Sequence, residues 1–175
     1  IPCKCVLYRH ITRGYNHLSE NPFILRPEFS IKQVITMTKF RHYNVPYTVD
    51  TRYTKKVAYF SMEFAIHQPL KIYSGGLGFL AGSHLRSAYE LKQNLIGIGI
   101  LWKQGYYDQE RNQDQTLDVA WNEKNYSFLE ETGIKFQVTI HEHPVWVKVL
   151  YLNPETFKTA PLFLLSTDVP ENDYV

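Results

Sequence analysis

The sequence is short of the features that mark secreted, membrane-spanning or nucleic-acid-binding chains. Its 175 residues include two cysteines, Cys3 and Cys5. One intervening residue disfavours a bridge between them, and no second cysteine pair exists to complete a metal site. A reduced, cytoplasmic setting fits this usage. Long hydrophobic runs are missing too. No apolar stretch approaches the roughly 18 residues that span a bilayer, and the first segment lacks the apolar core of a secretory signal. Nor is there an excess of one charge. Nineteen Lys and Arg against 17 Asp and Glu leave +2, too little to call for nucleic acid or an acidic membrane. Internal repeats and low-complexity tracts are absent. What the chain does have is aromatic residues, 13 Tyr and 10 Phe. They suit a carbohydrate-facing surface and a plain core equally well.

The length fits one domain. Residues 1–53 read as a leader that packs on the domain, and 54–175 as its body. The leader carries prolines and turn formers in NPFILRPEFS and RHYNVPYTVD. Between them, SIKQVITMTKF has the spacing of a short helix, with Ser30 as cap and Ile31, Val34, Ile35 and Thr38 on one face. The chain opens on Ile1 and closes on STDVPENDYV, just after a strand-like run. It is therefore expected to be a piece of a longer protein.

From Lys55 the pattern sharpens. KKVAYFSMEF reads as a buried strand, rich in Val, Tyr and Phe. AIHQPLKIYS is a loop. A glycine turn follows, then a helix whose apolar stripe is Leu77, Leu80, Ala81, Leu85, Ala88 and Leu91. Lys92 near its end complements the helix dipole, and Asn94 can stop it. NLIGIGILWK is a second buried strand. Strand, helix, strand predicts a βαβ unit, with Val57–Met62 and Leu95–Leu101 parallel. The polar, acidic stretch from Gln104 to Tyr126 reads as a surface excursion. IKFQVTI and VWVKVLYL around HEHP form an antiparallel hairpin, and APLFLLSTD adds one more strand. The fold class is α/β with an antiparallel hairpin extension.

Gly75, Gly76 and Gly78 stand where the helix begins, although glycine is a poor helix former. The stretch is not a dinucleotide fingerprint, because Ala81 occupies the third glycine position. It is not a Walker loop either, because no Gly-Lys-Ser/Thr follows. Two readings stay open. The glycines form a turn that packs helix on strand, or they let a phosphate or sugar reach the unpaired amides of the helix start. On the second reading, Gly76 has ligand approach and a positive φ as reasons for being glycine. Gly78 then tolerates alanine better than Gly76.

The stretch VAYFSMEFAIHQPLKIYSGGLGFLAGSHLRSAYELKQNLIGIGILWKQGYYDQ, Val57 to Gln109, resembles the N-terminal region of α-glucan (glycogen, starch or maltodextrin) phosphorylases. The resemblance rests on Y-F-S-x-E-F, I-Y-S-G-G-L-G and G-I-L-x-x-Q-G-Y in that order, and continues more faintly through PLFLLSTDVPEND. It implies the N-terminal part of a glycosyltransferase fold with two Rossmann domains and an active site between them. It implies release of glucose 1-phosphate from α-1,4-glucan by inorganic phosphate. It also implies pyridoxal phosphate as cofactor, held as a Schiff base by a lysine outside this chain. Gly75 and Gly76 would then offer backbone N–H groups to substrate and cofactor phosphates. Leu77 would lie beside the glucosyl ring, and Glu63 would make a polar contact near the glucose pocket. No catalytic residue is expected within the segment, which alone should be inactive. The resemblance admits a homo-oligomer for the full-length enzyme.

The sequence departs from the family pattern at Ser83, where A-G-D-H is common, and at Gln68 and Pro69, where H-E-S is common. Each change removes a carboxylate near the loop. His67 is assigned a local structural role. His141, Glu142 and His143 could present two imidazoles on one strand face, but no third ligand is evident and no metal is expected. Trp102, Trp121 and Trp146 are assigned to the core. Two alternatives are a nucleotide-sugar-dependent glucan synthase and a non-catalytic glucan-binding module. Such synthases carry a lysine two residues before the first glycine, where this chain has Tyr73.

Overall fold

The computed structural model describes residues 43–172. The helix assigned to SIKQVITMTKF and the Cys3/Cys5 pair lie outside them. A five-stranded mixed sheet has the order β1-β2-β7-β6-β5. Its strands are β1 (Val57–Phe60), β2 (Leu95–Ile100), β5 (Leu129–Ile140), β6 (His143–Leu152) and β7 (Leu162–Ser166). The first three neighbours are parallel, with Val57 opposite Leu95 and Gly97 opposite Leu162. The other pairings are antiparallel. The expected βαβ unit is therefore present: helix α1 (Gly76–Glu90) joins β1 to β2. The hairpin continues the same sheet through β7. Its turn places both His141 and Glu142 at positive φ, as a two-residue I′ turn requires. His141 is thus a turn residue and not on a strand face with His143. No group of three or more His, Cys, Asp or Glu suited to a metal ion occurs among the described residues.

The core lies between one face of the sheet and α1. Ala81, Leu85 and Ala88 of the helix meet Leu95, Leu162, Leu164 and Leu152, with Phe64, Ile66, Leu70 and Ile72 from the connection after β1. The helix contains no β-branched residue, which favours it. It also carries Gly78 and Gly82, each costing about 1 kcal/mol relative to alanine in a helix interior. Both are buried. The buried face is thus narrower than the expected stripe. Leu77, Leu80 and Leu91 are exposed, because the helix rests on its small residues. Lys92, at φ 54, turns the chain out after Glu90. Asn94 is not the stop; its amide instead donates to the Thr54 carbonyl.

Two further expectations are corrected. The strand read as buried, β1, is an exposed edge, with Phe60 65% accessible; its composition reports apolarity, and its edge position decides exposure. Trp102 and Trp121 are exposed and Trp146 is only partly buried, so none is a core residue. The polar stretch contains a small separate hairpin, β3 (Asp108–Arg111) with β4 (Leu117–Ala120). The short helix α2 (Pro154–Phe157), capped by Asn153, was not anticipated. No helix among the described residues is long and apolar enough to cross a membrane.

Candidate functional site

The residues singled out by sequence meet beyond the C-terminal end of β1. Ser61 donates its hydroxyl to the Glu63 carbonyl and accepts from the Glu63 amide. This tight turn sends Phe64 into the core and leaves Glu63 at the rim. The chain then runs beside the start of α1, where the Ala65 amide donates to the Gly78 carbonyl at 2.9 Å. His67 packs against the rings of Phe128 and Phe157, which also touch each other, a local packing position. Gln68 and Ser83, where the resembled pattern has carboxylates, are exposed, as is Pro69.

The glycines separate into two kinds. A Cβ at Gly82 would overlap the Ala65 carbonyl oxygen, and one at Gly78 would stand 2.5 Å from the Tyr73 Cβ. These two let the helix lie directly on backbone and side chain. A Cβ at Gly75 or Gly76 would meet nothing within 4 Å. Neither has a positive φ; Gly75, at φ −162, is ordinary extended backbone. Two expectations therefore change. Gly76 is not held in a conformation reserved for glycine. Gly78 is the less tolerant position, because its missing side chain is what lets Tyr73 pack there. Tyr73, in the place of the synthase lysine, also packs edge-on against Phe79.

Gly75 caps α1 without a side-chain hydrogen bond, so the first amides need partners from elsewhere. Glu63 supplies some. Its Oε2 accepts from the Ser74 amide at 3.3 Å, and its Oε1 accepts from the Tyr106 hydroxyl at 2.5 Å. The Tyr106 hydrogen bond holds the Glu63 carboxyl below the usual range. Partial burial opposes this, and the amides of Ser74, Gly78 and Gly75 add to the lowering. Tyr106 is raised in turn, because its proton is held by Glu63. The amides of Gly76 and Leu77 meet no acceptor among the described residues. Leu77 is 51% exposed beside them.

Tyr106 was not singled out from sequence, although it lies in the Q-G-Y motif. Its position depends on Gly105, which has φ +62 and whose Cβ would overlap the Lys71 carbonyl oxygen. The loop after β2 thereby docks on the segment leading to the glycine turn. A glycine followed by tyrosine was the available signal, but its partner Glu63 lies 43 residues away. A pocket of about 180 Å3 opens here, lined by Met62, Glu63, Trp102, Gly105 and Tyr106. A larger cavity of about 380 Å3 lies past the ends of β2 and β7 and contains none of the expected site residues. Its Lys103 is engaged by Asp168 and Glu123, and its Lys124 by Asp108.

No family model matches the chain. It is 55% identical over 119 residues to an uncharacterized protein of Methanocaldococcus jannaschii, covering 68% of this chain and 23% of that one. It is 37% identical over 154 residues to a maltodextrin phosphorylase of Thermococcus litoralis, covering 79% and 18%. It is 34% identical over 129 residues to a glycogen phosphorylase of Mycobacterium tuberculosis, covering 67% and 14%. The chain thus spans less than a quarter of the length of these relatives.

Proposed function

We propose, from the premise that the chain belongs to the α-glucan phosphorylase family, that it supplies the glycine-turn side of an active site. That site, in the full-length enzyme, cleaves α-1,4-glucan with inorganic phosphate and releases glucose 1-phosphate. The observation that carries this reading is the contrast among the glycines. Gly78 and Gly82 lack side chains because the protein fills the space, whereas Gly75 and Gly76 have open space beside them. Glycine at an open position gains nothing from internal packing. Close approach of an outside group gives it a reason.

The outward donors are the amides of Gly76 and Leu77, at the positive end of α1, where phosphate is favoured. Leu77 offers an apolar surface to the glucosyl ring, and Glu63 a polar contact at its edge. The same open turn fits the phosphate of pyridoxal phosphate, whose binding lysine belongs to another part of the enzyme. When bound, that cofactor supplies a phosphate group that exchanges a proton with inorganic phosphate. This chain's own residues orient phosphate and sugar and hold no proton-transfer group at the reacting atoms. Alone, it is inactive.

The test is glucose 1-phosphate release by the full-length polypeptide, given maltodextrin, phosphate and pyridoxal phosphate, with the 175-residue chain assayed alongside. Phosphate-dependent release by the full-length protein alone is expected. Glucosyl transfer from a nucleotide sugar, or glucan binding without turnover, would overturn the proposal.

A further inference from the structure

Within the phosphorylase reading, on which this step rests, we infer that Tyr106 is a positioning residue that clamps Glu63 beneath the glycine turn and so leaves the Gly76 and Leu77 amides free for phosphate. The geometry has three parts. The Tyr106 hydroxyl meets Glu63 Oε1 at 2.5 Å, the Ser74 amide meets Oε2 at 3.3 Å, and the same Oε2 lies 3.2 Å from where a Gly78 Cβ would stand. One carboxylate therefore ties the loop after β2 to the turn at Ser74 and lies close beside Gly78. It takes up the Ser74 amide, interacts with those of Gly75 and Gly78, and leaves the amides of Gly76 and Leu77 unpartnered.

The arrangement sorts two anions that would otherwise compete. A carboxylate free to swing would occupy the outer amides or repel an incoming phosphate. Held by a charge-assisted hydrogen bond, which is short and stronger than a neutral one, it stays on the inner side. The groups facing it are Tyr106 from the loop and the amides of Ser74, Gly75 and Gly78 from the turn. No ion pair reaches it among the described residues. Its charge state is thus governed by Tyr106 and the turn itself. Gly105 makes the clamp possible by letting the loop touch the Lys71 carbonyl.

Tyr106→Phe in the full-length polypeptide removes one oxygen and keeps the ring. The expected result is a rise of about tenfold in KM for inorganic phosphate, the loss of one charged hydrogen bond, with KM for maltodextrin little changed. The acid limb of the kcat/KM profile moves to higher pH, because Glu63 loses the contact that most lowers its pKa. Hydrogen exchange in residues 71–80 accelerates while β5 and β6 stay as protected as before. Glu63→Ala accelerates exchange in the same residues. Unchanged exchange in both variants, or acceleration throughout the molecule, overturns the clamp even in an active enzyme. An equal change in both KM values overturns the phosphate role. A wild-type enzyme that makes no glucose 1-phosphate overturns the phosphorolysis reading, and the exchange experiment still reads the clamp.

Discussion

Gly82 and Ala65 lie in direct contact: a methyl group on the helix residue would overlap the carbonyl oxygen of the other. The clash is with backbone, which has no rotamer to yield. Gly82→Ala is therefore expected to destabilise by at least the upper part of the roughly 1–3 kcal/mol range for overpacking. Gly78→Ala pushes on Tyr73 and should fall within that range. Gly76→Ala meets open space and should leave the thermal midpoint within a few degrees. Melting curves of the three variants check the order. Equal midpoints for Gly76→Ala and Gly82→Ala would contradict it.

Gly105→Ala should be harmful for two reasons. Its φ of +62 costs an L-residue about 1–2 kcal/mol, and the added methyl overlaps the Lys71 carbonyl. The loop should undock, and activity in the full-length enzyme should fall together with that of Tyr106→Phe. A Gly105→Ala enzyme with wild-type phosphate KM would show that the loop carries Tyr106 independently of this contact.

Lys92 presents the opposite case. It is exposed, at φ 54, in the turn that ends α1. Glycine suits that conformation, so Lys92→Gly should stabilise by up to about 1 kcal/mol. Denaturant unfolding measures it; destabilisation would mean that the lysine side chain contributes more than its backbone costs.

Acid should destabilise the fold. Asp50, hydrogen-bonded by Arg52, is lowered to about 2, and Glu63, Asp108, Asp114 and Glu171 are lowered by their own hydrogen-bond donors. Each binds a proton more readily when unfolded. The stability they contribute is whole above the unfolded values, about 3.9 for Asp and 4.3 for Glu, and is lost as pH falls through the folded ones. Thermal midpoints between pH 7 and pH 2.5 should hold steady and then drop below about pH 4. A midpoint that rises on acidification would contradict this account.

The sequence made the βαβ unit legible because short apolar runs at β1 and β2 flank the helical stripe of α1, and the long hairpin because alternation flanks HEHP. It did not reveal that β1 is an exposed edge, because a strand's neighbours are set by the sheet and not by its own residues. The short hairpin of Asp108–Arg111 and Leu117–Ala120 was hidden by polar composition. The start of β5 was hidden by its irregularity between Glu131 and Lys135, where Gly133 has φ +73. The glycine turn was legible as a cluster. The different roles of Gly76, Gly78 and Gly82 were not, since each depends on what Tyr73 and Ala65 do in space. Tyr106 was hidden for the same reason.

The central claim is that Gly76 is open for a ligand and not for the fold. The most direct measurement is steady-state phosphorolysis by the full-length Gly76→Ala enzyme, with a thermal melt on the same sample. Obstructing a backbone donor to a transition-state anion costs about 3 kcal/mol, on the order of a hundredfold in rate. The account predicts a loss of that size in kcat/KM with a nearly unchanged midpoint. Wild-type turnover, or a loss that follows unfolding alone, would contradict it.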